Sequence, residues 1–349
     1  MEKLNVLVFG AGAIGTYIGG SLAHDGNRVM FVEQPKAVEE LRRRGLHLDL
    51  TIDRNSIFNI RDSSVVFAPS LEEALKSGPF DFAIFALKSF DTAPALDGMK
   101  PFADRLPPIL CLSNGVDNEP AIAGVLGPDK VIAGTVTSSV GRRTVGDIVL
   151  ERFRGVGVAD GYPQSLFLAE ALNTAGLNAC LFHRAADMKW SKLLTNLPAN
   201  AIAAILDMNA AEVLAHPGLF HLEMRMLREA LAVMFALGVH VVDLPGVPVR
   251  ALAFGTKLPE FTARLLMQRA VGGGRGGKMP SFHIDLYSGR GRSEVEWLNG
   301  AVVRYGQKAG VKTPVNQNLT DTLLALTFGE VPLDMYTRQP MKLLSQNQK

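Results

Sequence analysis

Between Met188 and Ile202 the chain reads MKWSKLLTNLPANAI, and three polar residues recur in it at i, i+4 and i+8: Lys192, Asn196 and Asn200. On a helix this spacing lines them along one face. Trp190, Leu193, Leu194 and Leu197 flank them and supply packing. An ammonium group beside two amides, walled by apolar residues, suits a small oxygen-rich anion, because the charge attracts it and the amides fix its orientation. Spacing alone fits a solvated polar stripe as well, and Pro198 perturbs the helix just before Asn200.

A second constellation opens the chain. The apolar run Leu4–Phe9 ends in Gly10-Ala11-Gly12-Ala13-Ile14-Gly15, followed by a helical pattern to about Asp25. A strand, then Gly-x-Gly-x-x-Gly, then a helix is the context a dinucleotide fingerprint requires. Gly10 turns the chain, Gly12 lets a pyrophosphate approach the backbone, and Gly15 brings helix and strand together. The helix N-terminus offers unpaired N–H groups to the phosphates. Arg28–Glu33 is the next strand, and Glu33 stands where an acid bonds an adenosine 2′-hydroxyl. Arg42, Arg43 and Arg44 are available to a phosphate instead, although a charged helix end before Gly45 explains them more simply. Lys88 ends the buried strand Phe80–Leu87, and Ser113-Asn114-Gly115 ends Ile109–Leu112. In open α/β sheets ligands sit at such carboxyl ends.

These residues need a scaffold of two parts. Short strands are expected over 46–67, then a helix over Ser70–Lys76. Val131–Val140 and Gly146–Ala159 read as paired strands closing the sheet, followed by a helix over Gln164–Ala175 and a strand near Ala179–His183. From Ala185 the pattern is helical: Ala185–Leu206, Ala211–His216, Leu219–Leu237, Pro248–Phe254, Pro259–Arg269, Ser293–Gly310 and Asn316–Leu326. The expected fold is α/β: a Rossmann dinucleotide-binding domain over 1–183 and an all-helical substrate and dimerisation domain over 184–349, with the cleft between them as the default site. Met224, Met226 and Met234 read as core fillers, and His216 before Pro217 as a turn or cap residue.

Bulk composition narrows the partners. With 349 residues, 47% apolar and 20% charged, the chain resembles an ordinary globular protein of two domains. A net charge of +2 and the absence of a basic stripe argue against nucleic acid. No run approaches 18 apolar residues, so no membrane span is expected, and the first apolar run reads as a strand rather than a signal peptide. Cys111 and Cys180 show no metal-like spacing and point to a reducing cytoplasm. No metal site is expected.

Taken in order, Gly10–Gly15, Ala86-Leu87-Lys88, Ser113-Asn114-Gly115, the Lys192/Asn196/Asn200 helix and Ser293-Glu-Val-Glu-Trp-Leu-Asn-Gly300 resemble the ketopantoate reductase (2-dehydropantoate 2-reductase) family over most of the chain. The resemblance implies a helical domain like that of 6-phosphogluconate dehydrogenase, and NADPH as cofactor. It assigns Lys192 as proton donor, with Asn196, Asn200 and Asn114 as substrate-binding residues. Ser281, within Pro280-Ser-Phe-His-Ile-Asp285, is implied to hold the substrate carboxylate. Asn114 is shared with the cofactor, which Lys88, Val140 and Glu294 also contact, and Glu294 is placed for catalysis beside Lys192. The implied reaction is hydride addition to a small branched 2-keto acid, 2-dehydropantoate to pantoate, in pantothenate and coenzyme A biosynthesis. A lysine ammonium stabilises the charge that develops on the carbonyl oxygen and donates the proton.

The chain departs from the family pattern in three places. A basic residue usually follows strand two, but Glu33-Gln34 stands here, which makes NADH an alternative cofactor. Where a further substrate-binding asparagine is common, the chain has Asn209-Ala210, so either Asn209 substitutes or a substrate hydroxyl loses its partner. Val271–Lys278 is rich in glycine and reads as a flexible connection; a lid carrying Arg275 or Lys278 to the anionic ligands is the alternative. Two rivals follow: an NADH-dependent D-2-hydroxyacid dehydrogenase on another branched 2-keto acid, and a non-catalytic cofactor-binding regulator. The apolar content permits a homodimer without requiring one.

Overall fold

A computed structural model of the chain describes residues 3–272 and 279–347. The glycine-rich run 273–278, with Arg275 and Lys278, lies outside the described residues. Contacts divide the chain into two compact units, Met1–Lys189 with Leu244–Val247, and Trp190–Asp243 with Pro248–Lys349. The division falls inside one helix, Ala185–Asn196, just beyond the 183/184 boundary expected from sequence.

The first unit is built on strands β1 (Asn5–Phe9), β2 (Arg28–Val32), β3 (Leu46–Asp49), β4 (Ile57–Ile60), β5 (Val65–Ala68), β6 (Phe82–Phe85), β7 (Ile109–Cys111), β8 (Val131–Val136), β9 (Ser139–Thr144), β10 (Asp147–Arg152), β11 (Val156–Ala159) and β12 (Ala179–Phe182). Eight of them form one sheet in the order β12-β11-β8-β7-β6-β1-β2-β5. Every pairing in it is parallel except β11 with β8. Read from β5 to β8, this is the doubly wound dinucleotide-binding order, and the direction of winding reverses between β1 and β6.

Side-chain alternation along β1 explains its continuous apolar run. Val6 and Val8 face one core with Tyr17, Ile18, Leu22 and Phe31, while Leu7 and Phe9 face a second with Met30, Leu96 and Phe85. A strand covered on both faces has no polar side to show.

The expectation for 131–159 needs correction. Only β8 and β11 close the main sheet; β9 and β10 leave it and join β3 and β4 in a four-stranded sheet ordered β4-β3-β10-β9. Burial in β10 alternates, and the Arg142–Thr144 end of β9 is exposed. Such strands have one wet face and are unsuited to a doubly covered sheet. The crossover helices Thr92–Met99 and Asn118–Leu126 carry weak apolar periodicity and were not expected.

The second unit is helical. The helix Pro217–Ala236 runs through its middle, burying Met224, Met226 and Met234. His216 caps it, its Nδ1 accepting from Leu219 N–H at 3.3 Å, and Pro217 occupies the first turn. The expected helix Ala185–Leu206 is instead two, Ala185–Asn196 and Ala201–Leu206. Pro198 has no N–H to donate, and its ring clashes with the preceding turn; Ala199 then takes a left-handed conformation, φ 50°. Likewise Ser293–Gly310 resolves into a tight turn at Glu294–Trp297 and a helix at Asn299–Ala309. Among the described residues no helix is long and apolar enough to cross a membrane, and no cluster of His, Cys, Asp and Glu is arranged to hold a metal.

Candidate active site

In the first unit the candidate residues other than Val140 gather at the carboxyl ends of the parallel strands. Gly10 leaves β1 at φ +90°, its N–H donating to Val32 O at 3.0 Å. A Cβ on Gly15 would stand 1.9 Å from Gly10 O, so the chain itself demands glycine there. A Cβ on Gly12 would meet no atom within 4 Å. Packing therefore gives no reason for glycine at 12, whereas a pyrophosphate pressed against the backbone does. Gly12 is also the N-cap of the helix Ala13–His24, with no side chain spent on capping it. Open space over Gly12 and uncapped N–H groups fit a dinucleotide phosphate.

Glu33 turns toward this loop. Its Oε2 accepts from Ala11 N–H at 2.8 Å and its Oε1 from Gln34 N–H at 2.9 Å. Each carboxylate oxygen keeps further acceptor capacity, which suits a ribose hydroxyl and opposes a phosphate. Two of the three nearby arginines are engaged elsewhere, Arg42 with Phe67 O and Glu73, and Arg44 with Val145 O, Glu40 and Asp147, while Arg43 is exposed.

The loops after β6 and β7 brace one another. Ser89 Oγ and Asn118 Nδ2 donate to Asn114 O at 2.9 and 2.6 Å, and Ser113 Oγ donates to Leu87 O at 2.8 Å. Lys88 and Asn114 thus stand on adjacent, mutually fixed loops. Beneath them Lys189, 4% exposed, donates to Ser113 O at 2.7 Å and Gly134 O at 3.2 Å, and pairs with Glu119 at 2.7 Å. Sequence reasoning missed Ser89, Asn118, Glu119 and Lys189, since only the fold brings them under one loop. Val140 lies apart from this group, half-buried on β9 in the small sheet opposite Leu150.

In the second unit Lys192 and Asn196, both partly buried, share one face of their helix, while Leu193, Leu194 and Leu197 are fully buried. Trp190 anchors the helix edge-on against Tyr305, 5.3 Å between ring centres. Asn200 is not on that helix, so the i+8 alignment does not hold. Its side chain turns to the start of the helix Ser281–Tyr287: Oδ1 accepts from Phe282 N–H at 3.0 Å, and Nδ2 donates to Asn196 O at 3.0 Å and lies 3.3 Å from Ser281 Oγ. Asn200 is therefore spent on holding Ser281, whose residue is exposed. The helix Ser281–Tyr287 packs against both Ala201–Leu206 and the turn Glu294–Trp297, where Glu294 is 2% exposed. Asn209 caps the next helix in a reciprocal capping box with Glu212, so its side-chain oxygen is committed. Ala210 follows with no polar side chain.

Residues 6–159 match the family model of ketopantoate reductase PanE/ApbA, and residues 184–327 match that of its C-terminal domain. A 2-dehydropantoate 2-reductase of Archaeoglobus fulgidus is 27% identical over 94% of this chain and 100% of its own, and that of Pyrococcus horikoshii 25% over 90% and 94%. A PanE/ApbA family ketopantoate reductase from Ralstonia eutropha shares the fold at a TM-score of 0.78 with 24% identity, covering 94% of this chain and 99% of its own. D-mandelate dehydrogenase, in a complex with NADH and anilino(oxo)acetate, does so at 0.75 with 22% identity, covering 95% and 99%. The chain belongs to the ketopantoate reductase PanE/ApbA family of oxidoreductases.

Proposed function

We propose that this chain reduces a small branched 2-keto acid to the 2-hydroxy acid, with 2-dehydropantoate to pantoate as its leading reaction and NADH as its preferred donor. The observation that carries the reading is the ammonium of Lys192, held with Asn196 on one partly buried face of the helix Ala185–Asn196, whose Leu193 and Leu194 are fully buried. A reduced nicotinamide, when bound, supplies the hydride. Lys192 stabilises the negative charge developing on the keto oxygen and donates the proton to it. Asn196 and Asn114 hydrogen-bond the substrate's oxygens, and the Ser281 hydroxyl holds its carboxylate. Glu294 orients the ammonium or accepts from the new hydroxyl. Lys88 and the Gly10–Gly15 loop hold the dinucleotide, and Glu33 takes the adenosine 2′-hydroxyl.

A second reading, an NADH-dependent dehydrogenase for a 2-keto acid lacking the pantoate hydroxyl, draws on Asn209 and Ala210. The first is committed to a cap and the second is apolar, so a substrate hydroxyl has no partner from them. Steady-state reduction of 2-dehydropantoate with NADPH and NADH in parallel separates these readings. High kcat/KM with NADH supports the first; negligible turnover with both donors moves the search to other 2-keto acids. Lys192→Ala is expected to lower kcat by about two to four orders of magnitude with dinucleotide affinity nearly kept. A chain that only senses the dinucleotide would show no turnover to lose.

A further inference from the structure

Glu223 sits on the helix Pro217–Ala236 and is completely buried. A buried carboxyl is costly in any core position where an apolar residue of similar size would pack. Its Oε1 accepts from Ala199 N–H at 3.0 Å, and its Oε2 has no partner among the described residues. Burial pushes the carboxyl up to about 8 against the pull of that N–H, so the group is a neutral acid at pH 7. It offers one hydrogen-bond acceptor to that backbone position, and its protonated oxygen carries an O–H with no partner among the described residues.

That position is the strained one. Ala199 follows Pro198 in the left-handed region, where an alanine is disfavoured unless its surroundings hold it. The next residue, Asn200, reaches both Asn196 O and the start of the Ser281 helix. A rotation at Ala199 swings Asn200 away from Phe282 N–H and Ser281 Oγ together. We propose that Glu223 is a positioning residue: by fixing the Ala199 turn it fixes Asn200, and through Asn200 the Ser281 hydroxyl that receives the carboxylate of a 2-keto acid. This rests on the reductase reading for the substrate, though not for the turn.

The test uses the full chain with Glu223→Gln, which keeps the acceptor, and Glu223→Met, which fills the space without one. Keto-acid KM, kcat and NADH KM are measured, together with amide hydrogen exchange of segments 196–204 and 281–287 in the absence of substrate. Glu223→Gln is expected to match the parent. Glu223→Met is expected to raise the keto-acid KM about tenfold with kcat within threefold and NADH KM unchanged, and to speed exchange in both segments. Ala199→Gly in the Met background, which relieves the left-handed strain, should recover most of both effects. Glu223→Asp, which withdraws the acceptor while keeping the acid, should shift the KM in the same direction and covers the case in which Glu223→Met does not fold. Unchanged KM and exchange in the Met and Asp variants, or a Gln variant as impaired as Met, would overturn the proposal. A parent chain inactive on every 2-keto acid sinks the reductase reading, and the exchange arm still decides the turn.

Discussion

The backbone N–H of Ala11, inside the glycine loop, donates to Glu33 Oε2 across 2.8 Å. The residue after β2 is thereby clamped to the glycine loop, and its charge is fixed in direction. A 2′-phosphate placed against it meets a carboxylate, whereas a 2′-hydroxyl meets an acceptor.

Glu33→Gln should therefore change donor preference more than catalysis. The ratio of kcat/KM for NADPH over NADH is expected to rise about tenfold or more, because one repulsive pair is removed while the amide oxygen still accepts from Ala11. A ratio unchanged within twofold would mean that Glu33 does not face the ribose.

The glycines of the loop separate stability from binding. Gly15→Ala forces a Cβ against Gly10 O and is expected to destabilise the first unit by about 3 kcal/mol or more, read as a fall in Tm. Gly12→Ala meets nothing in the protein. Its Tm should stay within about 2 °C of the parent, while dinucleotide Kd rises by about tenfold or more. Equal effects of the two substitutions on Tm would refute this division.

Glu223 also predicts a pH dependence of stability. Its folded pKa of about 8 lies above the ordinary value of 4.5, so between these values the folded chain holds a proton that the unfolded chain has released. Stability is full below about pH 4.5 and falls as pH rises toward 8. At about 1.4 kcal/mol per pH unit, the full loss comes to about 5 kcal/mol as an upper bound. Glu223→Gln removes this dependence, so its Tm should be near that of the parent at pH 5 and several degrees above it at pH 8. Parallel Tm profiles would show that Glu223 ionises normally.

The parallel core of the fold was legible because burial on both faces leaves long apolar strands and glycine turns at their ends. Lys88 and Asn114 stand out in the sequence for the same reason, being polar residues shortly after such strands. What periodicity misplaced were features set by one residue or by distant pairing. Pro198 ended a helix that otherwise reads through to Leu206, and Asn200 left the Lys192 face with it. The β9–β10 hairpin has one wet face, which excludes it from the doubly covered sheet, but nothing in it marks β3 and β4 as its partners. Lys189 and Glu223 look like surface charges in sequence and are buried in the structure, and Glu119 is partly buried against Lys189.

The small sheet has a consequence for how the chain folds. Its central pairing, His47 against Asp147, joins segments a hundred positions apart, reinforced by a 3.0 Å bond between the two side chains. β3 and β4 branch from the crossover between β2 and β5, and β9 and β10 from the one between β8 and β11. Loop-closure entropy disfavours such a contact until the parallel sheet has brought both branches together. Pulse-labelled exchange during refolding should show the β1 and β6 amides protected before those of β3 and β10; the reverse order would refute this. The β3–β10 ladder is then the last step of a kinetic hierarchy, and the Gly146 N–H that donates to Ala11 O from the β9–β10 turn would reach the glycine loop only at the end of folding.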